Sequence, residues 1–287
     1  MRYFNKKKIK GFIKLSFFLI ALLFSISSCK KKGCTDPVSL AYDNKATKDD
    51  GTCTYPENDR KILIYYSTGT WCQHCGDIGK TFVDDISSNY PEAQIIRLHK
   101  NDELTSNMGT LIQSYLDSVN GVMGCPNFYV GTNSVVNPNI NPNNFNLLSS
   151  AVYADLLLSS EVNMDIEYSI NGNKITIEVQ SKLATGIVNE NYYLSTYILE
   201  DGIVLSQNIA GNYDPNFVHN NILRMEVTED VNVFGSKLNF DQNGNNKTSY
   251  YEVPLDSTAG WNYSNLHVVS VVWKDEGSSF KFVNLEN

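Results

Sequence analysis

Two cysteines, Cys72 and Cys75, flank Gln73 and His74 at the point where a run of apolar residues gives way to a helical pattern. That juncture restricts the fold more than any other stretch of the chain. Ile62, Leu63, Ile64, Tyr65 and Tyr66 form a near-continuous apolar run, which suits a strand buried on both faces of an α/β sheet. Thr68-Gly69-Thr70 breaks it, and Ile78, Phe82 and Ile86 at four-residue steps predict a helix that begins near Cys72 and ends before Pro91. Residues 94–98 read as a second strand, and Met108, Leu111, Ile112, Tyr115, Leu116 and Val119 mark a second amphipathic helix. Strands at 127–130 and 134–136 flank a Gly131-Thr132-Asn133 turn, and a last helix runs to about Leu158 after an Asn/Pro loop. This order, βαβα then a hairpin and a closing helix, is that of a minimal thioredoxin fold.

Beyond Ser160 the period becomes two. Val162, Met164, Ile166, Tyr168 and Ile170 alternate with polar residues, and Asn171-Gly172 turns the chain into Ile175, Ile177 and Val179. Further strand-like stretches lie at 192–199, 222–227, 250–253, 266–273 and 280–285, with Asn243-Gly244 as another turn. The expected fold is therefore an α/β thioredoxin-like domain over 59–160 followed by an all-β antiparallel sandwich domain over 161–287. A chain of this length lies near the size at which single cores divide.

The N-terminus reads as a lipoprotein signal peptide over 1–28. Its first residues carry six Lys or Arg and no acid, and the apolar run 15–26 is too short to span a bilayer as a helix. Ile26-Ser27-Ser28-Cys29 resembles a lipobox, which makes Cys29 the lipid attachment site. Loss of the signal leaves 17 basic against 31 acidic residues, a formal charge of −14. Such a body excludes nucleic acid as a partner, because phosphate binding needs clustered cations. Lys30-Lys31-Lys32, beside the lipid, suits lipid headgroups.

Residues 29–58 form the anchor and a spacer too poor in apolar residues to build a core. A bridge between Cys34 and Cys53, allowed in an exported chain, would staple it and contribute roughly 3 kcal/mol on the chain-entropy model. Cys-Thr-Asp-Pro at 34–37 and Asp-Asp-Gly-Thr-Cys at 49–53 resemble a small module of secreted Bacteroidetes proteins. The spacing of Asp43, Asp49 and Asp50 misses the calcium-binding EF-hand loop, so turn carboxylates are expected there.

The motif Trp71-Cys72-Gln73-His74-Cys75 carries the chemistry. At a helix N-terminus the unpaired N–H groups favour an anion, so Cys72 is the expected attacking thiolate. Cys75, one turn on, resolves the mixed disulfide. His74, when protonated, adds positive charge beside Cys72. Zinc is the competing reading of such a pair, but it usually takes four ligands, and His99, His219 and His267 are scattered. No metal and no cofactor are expected.

Residues 68–75, Gly124-Cys125-Pro126 and 218–224 together resemble the 28-kilodalton outer-membrane lipoprotein family of Bacteroidetes, from about residue 60 to the C-terminus. The resemblance implies a thioredoxin-like domain joined to a β-sandwich, on a lipoprotein of the outer membrane. It makes Pro126 the cis-proline that faces the cysteine pair and shapes a substrate groove. Three positions depart from thioredoxins: Tyr66 stands where they bury an acid, Gly76 where a proline is common, and Cys125 where Thr, Ile or Val precedes the cis-proline. His219 and Arg224 match the family's sandwich motif, and pinning a loop or pairing with an acid is their expected role.

The functional expectation is thiol–disulfide exchange by Cys72 and Cys75 on extracytoplasmic protein thiols or disulfides, supported by Trp71, His74, Pro126 and Cys125. The alternative is a binding or adhesion lipoprotein that uses the thioredoxin-like domain as scaffold and the sandwich for recognition. Cysteine arithmetic leaves Cys125 alone after one anchor, one spacer pair and one redox pair. Facing the pair across the groove, it is expected within reach of the Cys72 sulfur, either to bridge to it or simply to pack. Replacement of the anchor gives the first prediction. Cys29→Ser should leave the exported protein soluble, and recovery of the variant in the membrane pellet would contradict the assignment.

Overall fold

The structure is a computed structural model that describes residues 30–35, 43–53, 60–136, 140–184, 187, 189–228, 232–240 and 246–287. The signal peptide, Cys29 and the Asn243-Gly244 turn lie outside the described residues. The chain divides into two compact units, Met1–Glu57 and Asn58–Asn287.

Within the first unit, Cys34 and Cys53 are bridged, with Cα atoms 4.8 Å apart. Its carboxylates are occupied locally. Asp43 accepts from the backbone N–H of Lys45 at 2.9 Å and pairs with Lys31, while Asp49 and Asp50 accept from the N–H groups of Gly51 and Thr52. These are turn carboxylates.

The second unit is mixed α/β and begins with β1 (Ile62–Thr68), every residue of which is buried. A short π turn (Cys75–Gly79) leads into α1 (Lys80–Asn89), then β2 (Ala93–His99), α2 (Asn107–Asn120), β3 (Asn127–Val130), β4 (Asn133–Val136) and α3 (Phe145–Leu156). Ser106 caps α2 by accepting from the Gly109 N–H at 3.0 Å, and Gly121 closes it in the left-handed conformation. The hairpin β5 (Val162–Asn171) and β6 (Lys174–Leu183) turns at Gly172, where φ is +63°. Then come β7 (Tyr192–Glu200), the short β8 (Ile203–Val204), β9 (Gln207–Ile209), β10 (Asn212–Asp214) and β11 (Val218–His219), β12 (Ile222–Glu226), β13 (Ser236–Leu238), β14 (Asn246–Pro254), β15 (Leu266–Asp275) and β16 (Phe280–Glu286).

The sheets depart from the expected division. One sheet runs β16-β15-β7-β12-β2-β1-β3-β4, with β13 also on β7, so strands from both sides of residue 160 belong to it. Strand β1 is parallel to β2 and antiparallel to β3, while β12 joins β2 through the Ile222–Arg97 pair and runs antiparallel to β7. The expected all-β sandwich is thus no separate body following an α/β one. A second sheet, β14-β6-β5, packs on the far face of the first.

Two-sided burial of β1 follows from this arrangement. Ile62, Ile64 and Tyr66 face Phe82, Val83 and Ile86 of α1 and Leu148 and Val152 of α3. Leu63 and Tyr65 face the other way, with Ile96 and Leu98, onto Ile112 and Leu116 of α2 and onto Tyr197, Val269, Val271 and Trp273. The remaining face of β7 and β15, through Leu194, Ile198, Val268 and Val272, covers Val162, Ile175, Ile177 and Val179 of the second sheet. Asn284 Oδ1 accepts the Lys61 N–H at 3.0 Å, and buried Arg60 donates to the Val283 carbonyl and pairs with Asp155.

Residues 59–160 expressed alone would strip the β7 and β15 cover from Leu63, Tyr65, Ile96 and Leu98. Each exposed side chain of this size costs about 1.5–3 kcal/mol, against a typical net stability of roughly 5–15 kcal/mol. The fragment should therefore show no cooperative thermal transition, whereas 58–287 should show one. A sharp transition in the fragment would contradict the shared core.

Candidate functional site

The end of β1 delivers Gly69 to Cys72 to the head of the π turn. Cys72 and Cys75 form a disulfide, with Cα atoms 5.2 Å apart, and both are buried. The Cys75 backbone N–H points at Cys72 Sγ from 3.2 Å. That is the helix-start arrangement in which a sulfur anion at Cys72 is favoured. Trp71 is exposed and its indole N–H donates to the Lys100 carbonyl at 2.8 Å. Gly69 makes this possible, since a Cβ there would stand 2.8 Å from the indole nitrogen. His74 is exposed, and its ring meets the Gln73 side chain at 3.5 Å.

Across from the pair, the Cys125–Pro126 peptide is cis. The Cys125 thiol is free and half-buried, and the sulfurs of Cys72, Cys75 and Cys125 lie within 4.8 Å of one another. Burial pushes the Cys125 thiol up to about 11. It is therefore a neutral thiol in this environment.

Two of the unusual positions acquire a physical reason. The Tyr66 hydroxyl donates to the Cys75 carbonyl at 3.0 Å, its ring stacks on Phe128, and the Arg97 guanidinium lies 5.9 Å above its centre. Burial holds the phenol far above its ordinary value, so Tyr66 supplies a hydrogen bond and no proton-accepting anion. A Cβ on Gly79 would come within 2.1 Å of that hydroxyl, so the π turn wraps around it. Gly76 has a different neighbour. A Cβ there would stand 2.3 Å from the Asn208 carbonyl oxygen, and the close approach of that backbone demands glycine.

Asn208 belongs to the β9–β10 ribbon, which lies on the cysteine loop and which no periodicity in the sequence announces. The buried Gln207 amide donates to the carbonyls of Gly69 and Cys72, both at 3.2 Å, and of Asn208 at 3.1 Å. Asn208 N–H donates to the Thr70 carbonyl at 2.8 Å, and Ala210 N–H donates to that of Gln73 at 3.2 Å. Short polar stretches such as Gln207 to Asp214 resemble any loop, so these contacts were illegible in the sequence.

A buried polar group supports the same loop. Asp102 accepts the Thr70 N–H at 2.8 Å and pairs with His99 Nδ1 at 2.8 Å. His99 and His219 meet edge to face, and His219 Nε2 bonds to the Leu205 carbonyl at 3.2 Å. Burial lowers both imidazoles, His219 to about 4, so both are neutral at pH 7. Protonating them favours the unfolded chain, so stability is lost as pH falls below the ordinary histidine range, for His219 down to about 4. Arg224 pairs with Glu200 at 2.7 Å, so both motif residues pin loops or acids.

The family model for outer membrane protein Omp28 matches residues 113–286, more than half of the chain. The chain belongs to the Omp28 family. This family is one of outer-membrane proteins, and among the described residues no helix is long and apolar enough to cross a membrane. No curated protein sequence matches this Omp28-family chain. Among solved structures it is similar to HBP35 of Porphyromonas gingivalis, with a TM-score of 0.66 at 16% identity over 79% of this chain and 74% of that one. A domain of the outer membrane lipoprotein Omp28 from Porphyromonas gingivalis also matches, at 18% identity over 44% of this chain and 85% of that one, with a TM-score of 0.31. The HBP35 likeness is one of fold.

Loss of the Gln207 amide tests the clamp on the cysteine loop. Gln207→Ala should lower the urea-unfolding free energy of the Omp28-family chain by about 1–3 kcal/mol, because three carbonyls lose a side-chain donor, although those of Gly69 and Cys72 keep a backbone one. Gln207→Glu, which removes the donors and keeps the shape, should cost at least as much. Wild-type stability in both would show that the ribbon does not hold the loop.

Proposed function

We propose that this Omp28-family protein is a lipoprotein, anchored through Cys29, that exchanges thiols and disulfides on extracytoplasmic proteins with a thioredoxin-like site. The observation that carries the reading is the Cys72–Cys75 disulfide at the start of a helix, with the Cys75 N–H 3.2 Å from the Cys72 sulfur. A substrate thiolate attacks Cys72 and breaks the internal disulfide, so that Cys75 leaves as the thiolate. A second substrate thiolate then attacks the mixed disulfide, releasing Cys72 and carrying two electrons from the substrate dithiol to the protein. The reverse sequence reduces a substrate disulfide. Favouring the Cys72 anion stabilises the reduced form and makes the pair the more oxidising.

Cys125 is a second thiol within reach of a mixed disulfide at Cys72. As its thiolate it can displace the substrate and close a Cys72–Cys125 bridge, which ends the turnover and shields Cys72 from overoxidation. Its neutral state in the resting site makes this the slower route.

One observation favours the binding reading instead. Both cysteines are buried, Cys72 being 6% exposed, and the β9–β10 ribbon lies on their loop. In that reading the disulfide is a static staple and the recognition surface lies on the β-rich part.

Insulin reduction and dithiol oxidation separate the two. The full chain should be active in at least one assay and Cys72→Ala should lose the activity by two orders of magnitude or more, the scale on which one nucleophile matters. Mild oxidation of Cys75→Ala should yield a Cys72–Cys125 bridge on disulfide mapping. Equal activity in wild type and Cys72→Ala would leave only the binding reading.

A further inference from the structure

Along the sequence Cys125 stands fifty residues from Cys75 and fits no short-spaced metal-ligand pattern. The folded chain brings it to the pair. Sγ of Cys72, Cys75 and Cys125 lie within 4.8 Å of one another, and no fourth His, Cys, Asp or Glu joins the group among the described residues. The three are held by ordered elements, the head of the helical turn after β1 and the entry to β3. Those two strands pair directly, Ser67 opposite Asn127.

In the oxidised chain the disulfide occupies two of these sulfurs. A dithiol opens it by supplying two electrons and two protons, which leaves three neighbouring thiols and an oxidised dithiol. We propose that the reduced chain binds one Cu(I) ion through the sulfurs of Cys72, Cys75 and Cys125. Each thiol releases its proton to solvent as its sulfur binds, and the metal keeps its oxidation state.

Donor chemistry selects the ion. Thiolates are soft ligands that favour Cu(I), zinc and iron–sulfur centres, whereas magnesium and calcium take oxygen. Structural zinc is four-coordinate and would lack a ligand here. Closed-shell Cu(I) is satisfied by three sulfurs in a plane, and the near-complete burial of Cys72 and Cys75 restricts water as a fourth ligand. The Cys75 N–H aimed at Cys72 Sγ offsets part of the added negative charge. Binding needs the disulfide open but neither a protein substrate nor turnover, so this site stands or falls apart from the exchange reaction.

The test uses the full chain with Cys34→Ser and Cys53→Ser in every sample, the wild-type site included, because dithiothreitol also opens that pair; each sample is kept in detergent, reduced, freed of dithiothreitol under argon, and titrated with Cu(I) against bicinchoninate. Wild type should withdraw one equivalent, and X-ray absorption should count three sulfur neighbours. Cys125→Ser should weaken binding roughly tenfold or more, the scale on which even an outer partner matters to a metal site, and should leave two sulfurs on the metal. Oxidised samples of both chains, compared by thermal unfolding, establish that the variant is folded. If it is not, Cys125→Ala and the sulfur count of the wild type decide. No uptake by the reduced wild type, two sulfurs in the wild type, or unchanged affinity in a folded Cys125 variant would each overturn the assignment.

Discussion

A seam between β2 and β12 joins the two halves of the large sheet. Left alone, β2 would present an open edge of unpaired backbone groups. Strand β12 closes it: the Arg97 N–H donates to the Asn221 carbonyl at 2.9 Å, and the Gln94 amide reaches the Asn221 side chain at 3.0 Å. Asn221 itself takes φ of 55°, a left-handed conformation that asparagine tolerates better than most residues. Through this short contact, β7, β15 and β16 become continuations of the sheet that carries the cysteine pair.

The seam also decides what surrounds the site. Strands β7 and β12 are antiparallel neighbours, so the chain between them must turn back at the end of the sheet where β12 meets Arg97. Arg97 lies opposite Tyr66, two residues before the end of β1 and three before Gly69. The connection is long enough to form two small ribbons, and one of them lies on the cysteine loop through Gln207 and Asn208. The other holds His219 against His99, whose partner Asp102 grips Thr70. Residues far apart in sequence thus bear on one loop because a single pair of strands is adjacent.

Much of this could be read from residue order. The apolar run of β1, the four-residue steps of α1, the period-two alternation of β5 and β6 and the Asn171-Gly172 turn each specify a local element, because local burial patterns follow from helix and strand geometry. The cysteine pair at a strand–helix juncture and the Gly124-Cys125-Pro126 segment were legible for the same reason. Strand partners were not. Alternation gives a strand a face and says nothing about its neighbour, so β7, β12, β15 and β16 read equally well as a separate sandwich. Gly76 reads in the sequence only as a departure, because its reason, the Asn208 backbone against it, lies more than a hundred residues away. Tyr66 likewise gained its role from Gly79, which makes room for its hydroxyl beside the Cys75 carbonyl.

If the seam unites the two halves, the amides of β1 and β2 cannot open without those of β7 and β15. Native-state hydrogen exchange in increasing denaturant measures this directly, strand by strand. The slowest amides of Leu63 to Tyr66, Ile96, Tyr197 to Leu199 and Val269 to Val272 should exchange with one common opening free energy and one denaturant dependence. Two separate free energies, one for β1 and β2 and another for β7 and β15, would contradict it.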